Sequence, residues 1–126
     1  MGRSTDSAAV VALATRVTGG ATADAADLRD AVRWLLTRLR ERAPGRSVEV
    51  RVPPYGAVQC IAGPSHTRGT PPNVVETDPA TFLLVGAGVL AFADAVGTGR
   101  ISASGVRADL TPYLPLVDAP AEPPPA

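Results

Sequence analysis

Residues 73–110, NVVETDPATFLLVGAGVLAFADAVGTGRISASGVRADL, change local pattern four times within one short run, which leaves few ways to fold them. Residues 73–77 are β-branched and strand-like. Asp78 followed by Pro79 is a helix start, with a side-chain oxygen to cap the first turn and a ring at the position that needs no N–H. Gly88 stops that helix, and a second short helical piece carries Phe92, Ala95 and Val96 at spacings of three and four before Gly97, Thr98 and Gly99. From there the period falls to two. Ile101 and Ala103 alternate with Ser102 and Ser104; beyond Gly105, a turn or bulge residue, Val106, Ala108 and Leu110 alternate with Arg107 and Asp109. The unit reads as strand, helix, helix and half-buried antiparallel hairpin, and function is expected within it.

The rest of the chain supplies further elements for the same layer. Residues 1–6 read as a frayed end, and residues 7–17 carry Val10, Val11, Leu13, Ala14 and Val17 at helical spacings until Gly19 and Gly20 break the pattern. Residues 24–43 form the clearest helix, with Leu28, Val32, Leu35 and Leu39 along one side. Its acids gather at the start and its arginines at the end, as the helix dipole favours, so this charge pattern reads as helix stabilisation and not as a nucleic-acid patch. Val48, Val50 and Val52 alternate with Glu49 and Arg51, Pro53 to Gly56 turn the chain, and residues 57–63 are expected to pair back. Residues 64–72, PSHTRGTPP, are expected to form an ordered loop. Thr111 and Pro112 start one short turn carrying Tyr113, Leu114, Leu116 and Val117. The division is residues 1–23 as N-terminal helix and linker, 24–117 as the domain, and 118–126, with four prolines in nine residues, as a disordered tail.

Composition removes several classes of function. Twelve cations, all arginine, balance twelve acids, so nothing electrostatic favours nucleic acid or an anionic membrane. The longest apolar run is too short to span a bilayer, and the N-terminus has no signal-peptide order, so integral membrane association is not expected. A lone cysteine, Cys60, is compatible with a reducing cytosol, and the expected location is cytoplasmic.

Few residues invite chemistry. Gly86, Gly88 and Ala91 give the G-x-G-x-x-A spacing of a dinucleotide cradle, but the cap at Asp78 makes the preceding residues helical where that cradle needs a strand. Cys60 and the single histidine, His66, fall short of the four ligands of structural zinc, so no metal and no cofactor is expected. Cys60 on an alternating strand reads as core filling, and no nucleophile has a base beside it. His66, Thr67 and Arg68 could bind an anion or simply tie their loop down. What remains is an apolar interior of Phe82, Leu83, Val85, Leu90, Phe92 and Val96 facing small or medium strand residues. It can close as an ordinary core or leave a cavity.

The order of elements, together with VETDPATFLLVGAGVLAFADAVGTGRISASGVRADL, resembles the sterol carrier protein family over residues 24–116. VEVRVPPYGAVQCIAGPSHTRGTPPNVVETDPATF is most similar to its actinobacterial branch. The positions that carry the resemblance are Gly88, the piece from Phe92 to Val96, Gly99-Arg100-Ile101 and Gly105. It implies an α+β fold, a five-stranded mostly antiparallel sheet covered on one face by helices, with an apolar tunnel for sterols, fatty acyl chains or other lipids. The implied lining is Leu35, Val50, Val58, Cys60, Val75, Phe82, Val85, Phe92, Ile101, Val106 and Leu114. Gly86 and Val89 depart from the pattern, standing where relatives carry a larger apolar residue and a basic one, and the C-terminal segment is short and proline-rich. The expectation is a non-catalytic carrier of an apolar small molecule. The alternative is an interaction or accessory domain working through the 64–72 loop or a sheet edge, as the same fold does beside the metal-binding domain of mycothiol-dependent maleylpyruvate isomerase-like enzymes. A homodimer through the sheet edge or first helix, or an enzyme partner, fits that second reading.

Overall fold

A computed structural model describes residues 5–64 and 73–118. Its longer helices begin where a carboxylate can take the orphan amides of the first turn. α1 (Ser7–Thr18) starts on Asp6, which accepts from the Ala9 N–H at 2.8 Å, so a residue expected in a frayed end is a cap. α2 (Ala25–Arg42) starts on Asp24 and turns Ala31, Val32, Leu35, Leu36 and Leu39 inward. β1 (Val48–Val52) and β2 (Gly56–Cys60) form an antiparallel hairpin with Val50 opposite Val58. β3 (Asn73–Thr77) runs parallel to β1 on its other side, and α3 (Pro79–Gly86) follows from the Asp78 cap. After α4 (Phe92–Gly97), β4 (Ile101–Ser104) lies antiparallel to β3.

The helices cover the sheet face that carries Val48, Val50, Val52 and Val75, all buried. Leu36 of α2 reaches Gly56 on that face, where a Cβ would lie 3.3 Å from its Cδ1. α1 packs across α2 and α3, and α4 packs on β4. Glu76, Ser102 and Ser104 point the other way and are exposed.

The strand order is β2-β1-β3-β4, so the sheet among the described residues is mixed and four-stranded. This corrects the expectation of five mostly antiparallel strands. The missing strand is the second half of the hairpin read at residues 101–110. Ala108 and Leu110 are buried as their alternation requires, but Val106 is 99% exposed, so the three do not share a face. The cause lies in where the backbone finds partners. The Arg107 N–H donates to the side-chain Oδ1 of Asn73 at 2.9 Å, the Ala108 N–H closes a turn onto the Gly105 carbonyl, and Asp109 takes the Thr111 N–H. Val106 is therefore removed from the expected cavity lining.

Asn73 itself is 3% exposed, and its amide donates to the Ser47 carbonyl at 2.8 Å. Ser47 in turn donates from N and Oγ to the carbonyl of Ile61, whose own N–H reaches Ala43 O at 2.7 Å. These bonds hold Ile61 at φ 65, a backbone state that costs a β-branched residue about 1–3 kcal/mol unless its surroundings enforce it. Gly45 seats directly on that carbonyl, where any Cβ would come within 2.2 Å. Residues 65–72, which hold the expected loop with His66, Thr67 and Arg68, and residues 119–126 of the expected tail lie outside the described residues.

Two outcomes follow from these bonds. Asn73→Ala leaves the Ser47 carbonyl and the Arg107 N–H without partners, so unfolding free energy should fall by about 2–3 kcal/mol. Hydrogen exchange should show Arg107 losing protection while the amides between β1 and β2 keep theirs. Asp78 behaves differently. Burial works to raise its carboxyl, but hydrogen bonds from Thr81 and the charge of Arg100 outweigh that and hold it below the usual value. Its charged form therefore stabilises the fold above the unfolded carboxyl value of about 3.9, and that contribution disappears as pH falls through the lower folded value. In denaturant titrations, Asp78→Asn should be less stable than the parent at pH 7 and should converge with it in acid.

Candidate ligand-binding hollow

α3 ends because Gly88 adopts φ +84, letting its N–H reach Val85 O at 3.2 Å while Val89 N–H reaches Leu84 O at 2.9 Å. This paired closure satisfies the last carbonyls and swings the chain sideways, so that residues 88–91 cross the end of α3 before α4 begins. Gly86, one residue inside the helix end, lies against Leu35 of α2: a Cβ there would meet Leu35 Cδ2 at 2.8 Å. Its missing side chain permits the close approach of α3 to α2.

The C-terminal segment then returns across these ends. A 3-10 turn (Thr111–Tyr113) leads into Leu114 and Pro115, and the Leu116 N–H donates to Gly86 O at 2.8 Å. Arg42 donates to the Pro115 carbonyl, Arg38 pairs with the Asp118 carboxylate, and the Asp118 N–H donates to Ser7 Oγ at 2.7 Å. The Arg38 guanidinium also sits 5.5 Å from the centre of the Trp34 ring. Leu116 and Val117 are buried beneath this strap. Asp118, expected to open a disordered tail, is bound at both its backbone and its side chain.

Between the strap and the α3–α4 connection lies an open hollow of about 390 Å³. Val85 and Phe92 are its most buried lining residues, Val89, Leu90 and Ala91 form one wall, and Thr111, Leu114 and Pro115 form the other. Asp94, in the first turn of α4, is the one charged residue in the lining among the described residues. The volume falls in the range of about 300–1,000 Å³ usual for small-molecule sites. A second, smaller hollow of about 230 Å³ lies between α1 and α2, where Val10, Leu13 and Ala31 share the lining with Arg16, Asp27 and Asp30.

Of the expected lining residues, the fold brings Val85, Phe92 and Leu114 to the larger hollow. Leu35, Val50, Cys60, Val75, Phe82 and Ile101 are buried in the core between sheet and helices, and Val58 is half-buried on β2. The hollow thus opens at the end of the helical layer, and no residue of the sheet lines it. Catalytic groups do not gather there. Among the described residues, no group of three or more His, Cys, Asp or Glu side chains is placed to hold a metal ion. Ser102 and Ser104 stand exposed on β4.

A family model described as bacterial SCP ortholog matches residues 24–116. The chain belongs to this family of sterol carrier protein-like domains. The match takes in the sheet, α2 to α4 and every residue that lines the larger hollow, while α1 falls outside it. No curated protein matches the chain. Membership in the SCP family points to lipid binding in general, and no described helix of this SCP domain is long and apolar enough to cross a membrane.

The expected lining did not include Thr111, Pro115 or Asp94, which the fold brings to this hollow. The only local signal was the apolar cluster 113–117, which marks a segment that must be buried somewhere without saying against what. Cys60 is fully buried on β2, and burial pushes its thiol up to about 11, so it is a core residue with almost no thiolate at neutral pH. With a disulfide thiol reagent at pH 7, native protein should react at well under 1% of the rate of protein unfolded in guanidinium. Rapid modification of the native form would contradict this placement.

Proposed function

We propose that this domain is a non-catalytic carrier of an apolar lipid, with the acyl or ring portion held in the hollow between the α3–α4 connection and the C-terminal strap. The observation that carries the reading is an open hollow of small-molecule volume, lined mainly by apolar residues and built from the part of the chain that matches the SCP family. Affinity in such a site comes from removing hydrocarbon from water, worth about 0.8 kcal/mol for each CH₂. A micromolar complex requires about 8 kcal/mol, so about ten methylenes supply it before the cost of ordering the chain. The open mouth suits uptake and release, which a carrier needs more than tight retention.

The residues expected between sheet and helices have a supporting role in this reading. Leu35 fixes the approach of α3, and Phe82, Leu83 and Val85 anchor that helix on the core, so the floor of the hollow is rigid. Only the strap wall, made of one short turn and a few residues, stands apart from the sheet.

A neutral pyrene-labelled alkyl chain should bind saturably at micromolar concentration. Leu114→Arg, a change at a half-buried wall residue, should weaken that binding at least tenfold without changing the circular dichroism spectrum. Mass spectrometry of protein freshly isolated from its source should also reveal a bound lipid. Non-saturable partitioning of the probe, or binding indifferent to Leu114→Arg, overturns the assignment.

A further inference from the structure

The polar groups of the hollow are unequal in sign, and this bears on which lipids the site accepts; the point deepens the carrier reading above and rests on it. Against walls of Val85, Val89, Leu90, Phe92 and Leu114, the lining presents one carboxylate, Asp94, and one hydroxyl, Thr111. Among the described residues no arginine lines it, although the chain carries twelve cations. The nearest cationic anchor, Arg42, donates to the Pro115 carbonyl and serves to hold the strap. Among the described residues the Asp94 side chain has neither an ion-pair nor a hydrogen-bond partner, so none of them neutralises its charge. The start of α4 offers no compensating anion site: the helix has six residues, and Asp94 itself occupies the first turn.

We infer that the hollow selects single-chain amphiphiles whose head group donates hydrogen bonds and carries no negative charge, with Asp94 as the specificity-determining residue. A head that enters beside Asp94 and Thr111 meets acceptors. An alkylammonium gains a charge-assisted bond, an alcohol gains an ordinary one, and a carboxylate meets a like charge. Asp94 is solvent-exposed, so each of the attraction and the repulsion is worth only a few-fold, and together they give about a tenfold preference for ammonium over carboxylate. The zero formal net charge of the chain keeps a general electrostatic field from producing the same order.

The test displaces the neutral alkyl probe with dodecylamine, dodecanol and dodecanoate at pH 7 and low ionic strength, each below its aggregation concentration. Wild-type protein should bind them in that order, with about tenfold between the first and last, and the gap should narrow in high salt. Asp94→Asn should bring amine and carboxylate within about twofold, with dodecanol shifting less than either because the Asn carbonyl still accepts its hydrogen bond. Equal affinity for amine and carboxylate in the wild type, or a preference that survives Asp94→Asn, overturns the inference while the carrier reading stands. Failure of all three ligands together with the neutral probe removes the carrier reading itself.

Discussion

A buried amide at the start of β3 decides how the sheet ends. Asn73 is out of solvent, and a buried amide that lacks partners costs about 1–3 kcal/mol, so the fold must supply them. It draws one from the residue before β1 and the other from the turn after β4, joining three segments far apart in sequence. Ser47 extends the network to the end of β2 through Ile61. Taking the Arg107 N–H into this network removes it from any strand ladder, so β4 becomes the edge and the chain beyond it is free to leave the sheet. That departure sends residues 110–118 back over the helices.

The strap and the helix ends then determine the shape of the cavity. Paired closures at Gly88 and Gly99 give α3 and α4 sharp ends, because a left-handed residue satisfies the last carbonyls within one turn. Between α3 and α4, residues 88–91 form one wall of the hollow, with Val85 buried behind it. The strap is attached at Gly86, Arg42, Arg38 and Ser7, and its Thr111, Leu114 and Pro115 form the wall that faces residues 88–91 across the gap. The gap is a consequence of backbone routes being fixed by hydrogen bonds, with too few large side chains available to fill what remains. With only five aromatic residues in the chain, the connection and strap contribute mainly medium-sized side chains to that space.

The same geometry sets the chemical character of the site. Mainly apolar walls fit the hydrocarbon occupant of the proposed carrier role, and the Asp94 carboxylate gives the hollow a polarity that a core cavity would lack. Several of the described arginines are engaged elsewhere: Arg38 and Arg42 hold the strap, Arg51 pairs with Glu49, and Arg100 lies against Thr81 near the α3 cap. Overall neutrality therefore conceals a local imbalance.

Much of the local structure was legible in the residues. Asp24 and Asp78 mark helix starts, Gly20, Gly88 and Gly99 mark helix ends, and the alternating valines of β1 show which face is buried, because caps and periods act within a few residues of their cause. Family resemblance likewise lay in contiguous motifs. The alternation at Val106, Ala108 and Leu110 misled, since a period states a preference and cannot say whether a partner strand will be there to meet it. Whether Arg107 bonds to a strand or to Asn73, thirty-four positions earlier, and whether residues 114–118 cover a helix end or trail away, depend on groups brought together only by folding. The sequence by itself thus determined the elements and their inward faces through short-range geometry; the tertiary structure alone decided the number of strands, the path of the strap and the position of the hollow, because those rest on competition among distant partners for the same backbone bonds.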